Sequence, residues 1–176
     1  STPCLDTSYY IINQPDEISP NIILDSVSCF GGNDGEITTF PNGGVGSLNV
    51  VWAGPNSFSS NLYNITGLFS GNYNLTIVDS IGCIDSSQHL ITEPPQLSVN
   101  LDSIHDVSCS GLNDGYIGIT PFGGTPDYNY IWTGVSGVYT TQNILGLESG
   151  TYNLRIIDDL FCQLDTVFFV LTPNLL

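Results

Sequence analysis

Apolar and polar residues alternate along this chain with a period of two. Tyr73, Leu75 and Ile77 interleave with Asn72, Asn74 and Thr76; Tyr152, Leu154 and Ile156 repeat the pattern with Arg155 on the polar face. Successive side chains of a strand point to opposite faces, so this alternation predicts half-buried strands. The runs 47–52 and 128–132 are rich in β-branched and aromatic residues and read the same way. Asn-Gly, Asn-Asp-Gly and Gly-Gly separate the runs, because Gly and Asn accept the positive φ of tight turns. No stretch sustains a 3.6-residue period. Short strands punctuated every ~8–12 residues predict a β-sandwich.

The pattern occurs twice. Cys4, Cys83 and Cys162 are spaced 79 residues apart, and Pro15, Pro94 and Pro173 follow them in step. Cys29, Asn33-Asp34-Gly35, Gly43-Gly44 and Trp52 return 80 residues later as Cys109, Asn113-Asp114-Gly115, Gly123-Gly124 and Trp132. Self-similarity at a fixed period marks an array. The expected organisation is the tail of a preceding repeat over 1–17, sandwich repeats over 18–95 and 96–173, and the start of a further linker or repeat over 174–176. The chain thus reads as a slice of a longer array.

Two motifs refine the fold. Leu68-x-x-Gly71-x-Tyr73 and Leu147-x-x-Gly150-x-Tyr152 are similar to the tyrosine corner of Greek-key sandwiches, whose hydroxyl bonds back to upstream backbone. Trp52 and Trp132 fall on a middle strand, where a core position is expected and an exposed aromatic platform is the alternative. The expected fold is all-β: tandem immunoglobulin-like Greek-key β-sandwich modules arranged end to end.

Charge narrows the partners. Seventeen acidic residues face a single cation, Arg155, for a net charge of −16. Such a surface has nothing to neutralise phosphates, which argues against nucleic acid and anionic lipid. No segment is long and apolar enough to insert in a bilayer as a helix. A hydrophobic content of 41% argues against disorder.

Five cysteines in a turn-rich chain suggest an oxidising compartment. CxxC spacing is absent, so a zinc site is not expected. The economical pairing is within repeats, Cys29–Cys83 and Cys109–Cys162, with Cys4 unpaired. It requires each pair to share one end of its sandwich, which holds if 53–66 supplies one strand. Bonds between neighbouring repeats are the competing scheme.

The run Val27-Ser28-Cys29-Phe30-Gly31-Gly32-Asn33-Asp34-Gly35-Glu36-Ile37 resembles the opening of the SprB repeat. So do Gly43-Gly44, Trp52, Leu68-x-x-Gly71-x-Tyr73, Asp79, Gly82-Cys83 and Glu93-Pro94-Pro95; the second copy matches at Val107-Ser108-Cys109, Asn113-Asp114-Gly115, Gly123-Gly124-Thr125-Pro126-x-Tyr128-x-Tyr130-x-Trp132 and Gly150-Thr151-Tyr152. That copy departs at Ser110 and at Phe161, where a glycine is expected before the cysteine. The resemblance implies a repetitive stalk module of a large secreted adhesin of gliding Bacteroidota. It implies an extracellular location on the bacterial cell surface, export by type IX secretion and service in gliding motility. Partners would be neighbouring repeats, external surfaces or polysaccharide, and gliding or secretion machinery reached through other parts of the protein. The rivals are a glycan- or matrix-binding module using Tyr63, Tyr128 or Tyr139, and a non-catalytic spacer of a secreted hydrolase.

Catalytic signatures are lacking: His89 and His105 occupy non-equivalent positions, and there is no nucleophile, phosphate-loop or metalloprotease spacing. No cofactor is expected. Asp34 and Asp114 in the Asn-Asp-Gly turns, with Asp79 and Asp158 at strand ends, are weak candidate calcium ligands; plain tight turns are the other reading. Asp25-Ser26-Val27, Asp79-Ser80-Ile81, Asp102-Ser103-Ile104 and Asp165-Thr166-Val167 fit the Asp-Ser/Thr-aliphatic O-glycosylation triplet of Bacteroidota. Composition alone would supply about one such triplet. Ser26, Ser80, Ser103 and Thr166 are therefore candidate glycan acceptors, expected near strand ends.

Overall fold

A computed structural model describes residues 3, 4 and 6–173. Residues 174–176, expected to open a further repeat, lie outside the described residues. The first sequence copy forms β1 (Ile22–Asp25), β2 (Gly35–Thr39), β3 (Asn49–Ala53), β4 (Ser59–Ser60), β5 (Asn64–Leu68), β6 (Gly71–Val78) and β7 (Ile84–Ile91). The second forms β8 (Ser98–His105), β9 (Gly115–Phe122), β10 (Tyr128–Gly134), β11 (Gly137–Tyr139), β12 (Ile144–Leu147), β13 (Gly150–Asp158) and β14 (Gln163–Val170). The sheet orders correspond copy for copy: β1-β2-β5 with β4-β3-β6-β7, and β8-β9-β12 with β11-β10-β13-β14. Contacts divide the chain into two compact units. One is Ser1–Leu24, Ile37–Ile65 and Gly71–Leu90; the other is Asp25–Glu36, Thr66–Ser70 and Ile91–Leu176.

The strands follow the two-residue alternation. Along β13, Tyr152, Leu154 and Ile156 are buried while Thr151, Asn153 and Arg155 face solvent. They join Ile117, Ile119, Trp132, Ile144, Leu147 and Val170 in one core. In β6 the same role falls to Tyr73, Leu75 and Ile77. Each fully buried aliphatic side chain contributes roughly 1.5–3 kcal/mol, so these strands are central to stability. Trp52 pairs across the ladder with Leu75 and Trp132 with Leu154. Both indoles have zero exposure, which makes them core residues and removes the platform alternative.

The crossings between sheets are built where the corner motif falls. β12 ends at Leu147 in one sheet, and β13 begins at Gly150 in the other. Tyr152 there donates its hydroxyl to the Glu148 carbonyl at 2.9 Å. Gly134 leaves room for the ring: a Cβ at that position would stand 2.3 Å from it. Gly54 does the same for Tyr73, at 2.5 Å.

The stretch 53–66 supplies two strands rather than one. β4 pairs with β3, and β5 with β2. Each copy therefore has seven strands, an odd number, and this decides where its cysteines lie.

Candidate functional site

Two kinds of acidic turn recur in each copy, and each carries a cysteine. The first follows the opening strand. Asp34 accepts the Ser28 backbone N–H at 3.0 Å and the Ser28 hydroxyl; Asp114 accepts the same groups of Ser108 at 3.0 and 2.5 Å. The hydroxyl bonds, then the backbone bonds, hold both carboxyls below the usual carboxylate range. The Gly32 N–H reaches the Cys29 carbonyl at 2.9 Å, and Leu112 reaches Cys109 at 3.1 Å. Gly31 and Gly111 supply φ of 69° and 84°. The departure at Ser110 leaves this turn intact, because Gly111 stands at the register of Gly31.

The second turn is the last hairpin. Asp79 is 4% exposed and Asp158 1%. Asp79 accepts the backbone N–H groups of Val45, Ile81 and Cys83 at 2.9, 3.0 and 2.8 Å. Asp158 accepts those of Thr125, Leu160 and Cys162 at 2.9, 3.0 and 2.8 Å. Burial pushes the Asp79 carboxyl up, but its three N–H donors together bring it below the ordinary value. Each carboxylate thus ties a Gly-Gly turn to the last hairpin, the second glycine lying directly against it.

These four aspartates were the candidate calcium ligands. The structure turns Asp34 and Asp114 toward N–H and O–H donors of their own turns, and Asp79 and Asp158 toward N–H donors of the last hairpin and of the Gly-Gly turn. Among the described residues no group of three or more His, Cys, Asp or Glu could hold a metal ion.

The disulfide expectation is corrected. Cys29 is bonded to Cys162, 133 residues away in the sequence, and Cys83, Cys109 and Cys4 are free, exposed thiols. The seven-strand count is the reason. The Val107 N–H bonds the Leu171 carbonyl at 3.2 Å, placing the loop after β8 at the exit of β14. Cys162 precedes the entrance of β14, eight residues away, or about 26 Å at ~3.3 Å per residue. A disulfide needs Cα atoms roughly 5.5–6 Å apart, so Cys109 cannot reach Cys162. In the first copy the Val27 N–H bonds the Thr92 carbonyl at 3.0 Å, and the eight residues of β7 intervene before Cys83. The competing scheme, a bond from one copy to the next, is the one observed.

The candidate glycan acceptors divide. Ser26 is exposed just past β1, with Oγ 2.8 Å from that of Thr92. Ser80 is exposed past β6, but its Oγ accepts the Ser47 N–H at 2.9 Å. Ser103 and Thr166 are not near strand ends. Ser103 sits half-buried at a register shift inside β8, opposite Gly118. Thr166 lies mid-way along β14, opposite the buried Leu154, so it points to the core side. Of the tyrosines of the rival reading, Tyr63 is exposed and Tyr128 and Tyr139 are half-buried; the hydroxyls of Tyr63 and Tyr128 bond the carbonyls of Leu48 and Gly123, both at 2.7 Å. Arg155 forms a two-pronged ion pair with Asp165 at 2.8 and 2.9 Å.

Comparison with solved structures supports the sandwich fold. The chain is similar to three N-terminal domains of the Highly Immunogenic Outer Capsid protein of bacteriophage RB49, at 15% identity and a TM-score of 0.53. That match covers 89% of this chain and 59% of the other, so this chain spans less than two thirds of that fragment's length. The first two immunoglobulin domains of DIP-gamma match at 14% identity and a TM-score of 0.45, covering 88% and 98%. Immunoglobulin domains 1–4 of Sidekick-1 match at 13% identity and 0.41, covering 93% and 50%. A search of curated proteins finds no match. Among families, the SprB repeat matches residues 101–137, the span holding Cys109, the Asn-Asp-Gly turn, Gly123-Gly124 and Trp132. Residues 101–137 of this chain are therefore similar to the SprB repeat.

Proposed function

We propose that this chain is a length of the repetitive stalk of a large secreted adhesin on the bacterial surface, serving attachment and gliding motility. Its work is mechanical and multivalent: repeated modules set reach, and many weak contacts gain strength through effective concentration. The observation that carries the reading is the duplication. Both copies share strand order, acidic turns, Gly-Gly turns and a buried tryptophan, and one of them matches the SprB repeat. A texture repeated with each module suits a structural array; a catalytic or ligand site is a single constellation. Neighbouring repeats are then the immediate partners, with external surfaces or polysaccharide beyond them. Secretion and gliding machinery would act through other parts of the protein.

Antibodies raised against residues 96–173 should label intact cells, and deleting this stretch from the gene should reduce attachment and surface movement. Absence of surface label overturns the proposal. The same fragment should be silent on a glycan array; specific binding there would favour the ligand-binding reading.

A further inference from the structure

We propose that Cys109 and Cys83 are half-sites of further disulfides of the Cys29–Cys162 kind. Cys109 would bond the last-hairpin cysteine of a following copy, and Cys83 the first-turn cysteine of a preceding one. The proposal rests on the array reading for the existence of such copies.

The bond already present states the rule. Cys29 lies in the turn after the first strand of one copy, and Cys162 in the last hairpin of the next. Cys109 occupies the same turn as Cys29, with the same Ser-to-Asp bonds, the same carbonyl contact and the same left-handed glycine. Cys83 occupies the same hairpin as Cys162. Its N–H reaches Asp79 at 2.8 Å as that of Cys162 reaches Asp158 at 2.8 Å, and its carbonyl accepts the Asp79 N–H at 3.0 Å as that of Cys162 accepts Asp158 at 3.0 Å. Both free thiols are exposed, and each is a strand length from the other cysteine of its own copy. A within-copy bond is thereby excluded while a partner of the right geometry is specified.

The chemistry is thiol–disulfide exchange. The two thiols lose two protons and two electrons as the S–S bond forms. A disulfide oxidant, either glutathione disulfide or a protein disulfide, takes up both and becomes two thiols. One such bond per repeat would make the array a covalently linked series.

The test extends the full chain by one copy. Residues 174–176 stand at the register of 16–18, so residues 19–94 are fused directly after Leu176, with Cys4→Ser and Cys83→Ser in the original part. After oxidation in a glutathione redox buffer, non-reducing peptide mapping should show Cys29–Cys162 and a second bond from Cys109 to the Cys83 of the appended copy. One thiol should remain alkylatable. A mirror fusion places residues 95–173 before residues 16–176, with Cys109→Ser in the original copy; there Cys83 should bond the prepended Cys109. Free Cys83 and Cys109 in both fusions, or a bond from either to any other cysteine, overturns the proposal. The stalk reading stands or falls separately, on surface labelling.

Discussion

Phe161 takes the left-handed backbone that Gly82 takes one copy earlier, with φ of 64° against 91°. The turns are the same: the Phe161 N–H bonds the Asp158 carbonyl at 3.0 Å, and that of Gly82 bonds Asp79 at 3.2 Å. A left-handed φ costs a bulky residue about 1–2 kcal/mol. The ring is 81% exposed and returns little packing. Phe161→Gly should therefore stabilise the protein by about 0.5–1 kcal/mol, after the extra freedom that glycine gives the unfolded chain. The measurement is the urea midpoint at constant m-value; an unchanged or lower midpoint would show that the turn stores no strain.

Stability should fall in two stages as the pH drops. Burial, in contact with Trp52, lowers the pKa of His89 below that of a free imidazole. The unfolded chain then binds a proton that the folded chain refuses, so a shallow loss begins near the free value of about 6.5. Asp34, Asp79 and Asp114 are lowered relative to their unfolded values. Their contribution is complete above about pH 4 and is lost as pH falls through their folded values. Thermal melts between pH 3 and 8 should show both limbs, and His89→Gln should remove the upper one. EDTA at neutral pH should leave the melt in place, whereas a calcium ion present at a hundred times its Kd would have added about 2.7 kcal/mol.

Gly123 and Gly111 both need positive φ, at 72° and 84°, but only Gly123 is crowded. A Cβ on Gly123 would stand 2.0 Å from the Gln96 carbonyl oxygen, whereas one on Gly111 meets nothing within 4 Å. Gly111→Ala should cost about 1 kcal/mol, the strain alone. Gly123→Ala should cost about 2–4 kcal/mol, because the Gln96 backbone ahead of β8 must also move. Equal losses would mean that this segment yields freely.

Most of the sandwich was legible because strand alternation and turn chemistry are local. Tyr152, Trp132 and the strand of Leu154 fall where the two-residue period puts them. The cysteine pairing was not legible, because it depends on a strand count. Ser59–Ser60 is too short and too polar to announce β4, and one strand more or less moves Cys83 and Cys162 to the other end of their sandwiches. Asp79 and Asp158 were visible as residues but not in their role. Only the fold brings the N–H groups of Val45 and Thr125, more than thirty residues away, onto their carboxylates. Thr166 was misplaced for a related reason: a triplet motif carries no information on which face of a strand its hydroxyl takes.

Glycosylation at the Asp-Ser/Thr triplets should accordingly be uneven. Ser26 is exposed beyond the end of β1, an edge strand, and a glycan there disturbs no ladder. Ser80 must give up the hydroxyl bond it donates to the Ser47 carbonyl, at 3.3 Å, to be modified. Thr166 faces the core side of β14 and is half-buried. Protein purified from its native source should therefore carry O-linked hexose-type mass on Ser26 first, then Ser80, with Ser103 and Thr166 bare or nearly so. A glycan at the end of an edge strand would also shield backbone that otherwise invites strand pairing between copies of the chain. Recombinant protein lacking it should self-associate more readily. Peptide-level mass spectrometry decides the matter. Four unmodified sites would sink the assignment, Thr166 modified ahead of Ser26 would contradict the geometry, and Asp25→Ala leaving Ser26 still modified would remove the triplet as the signal.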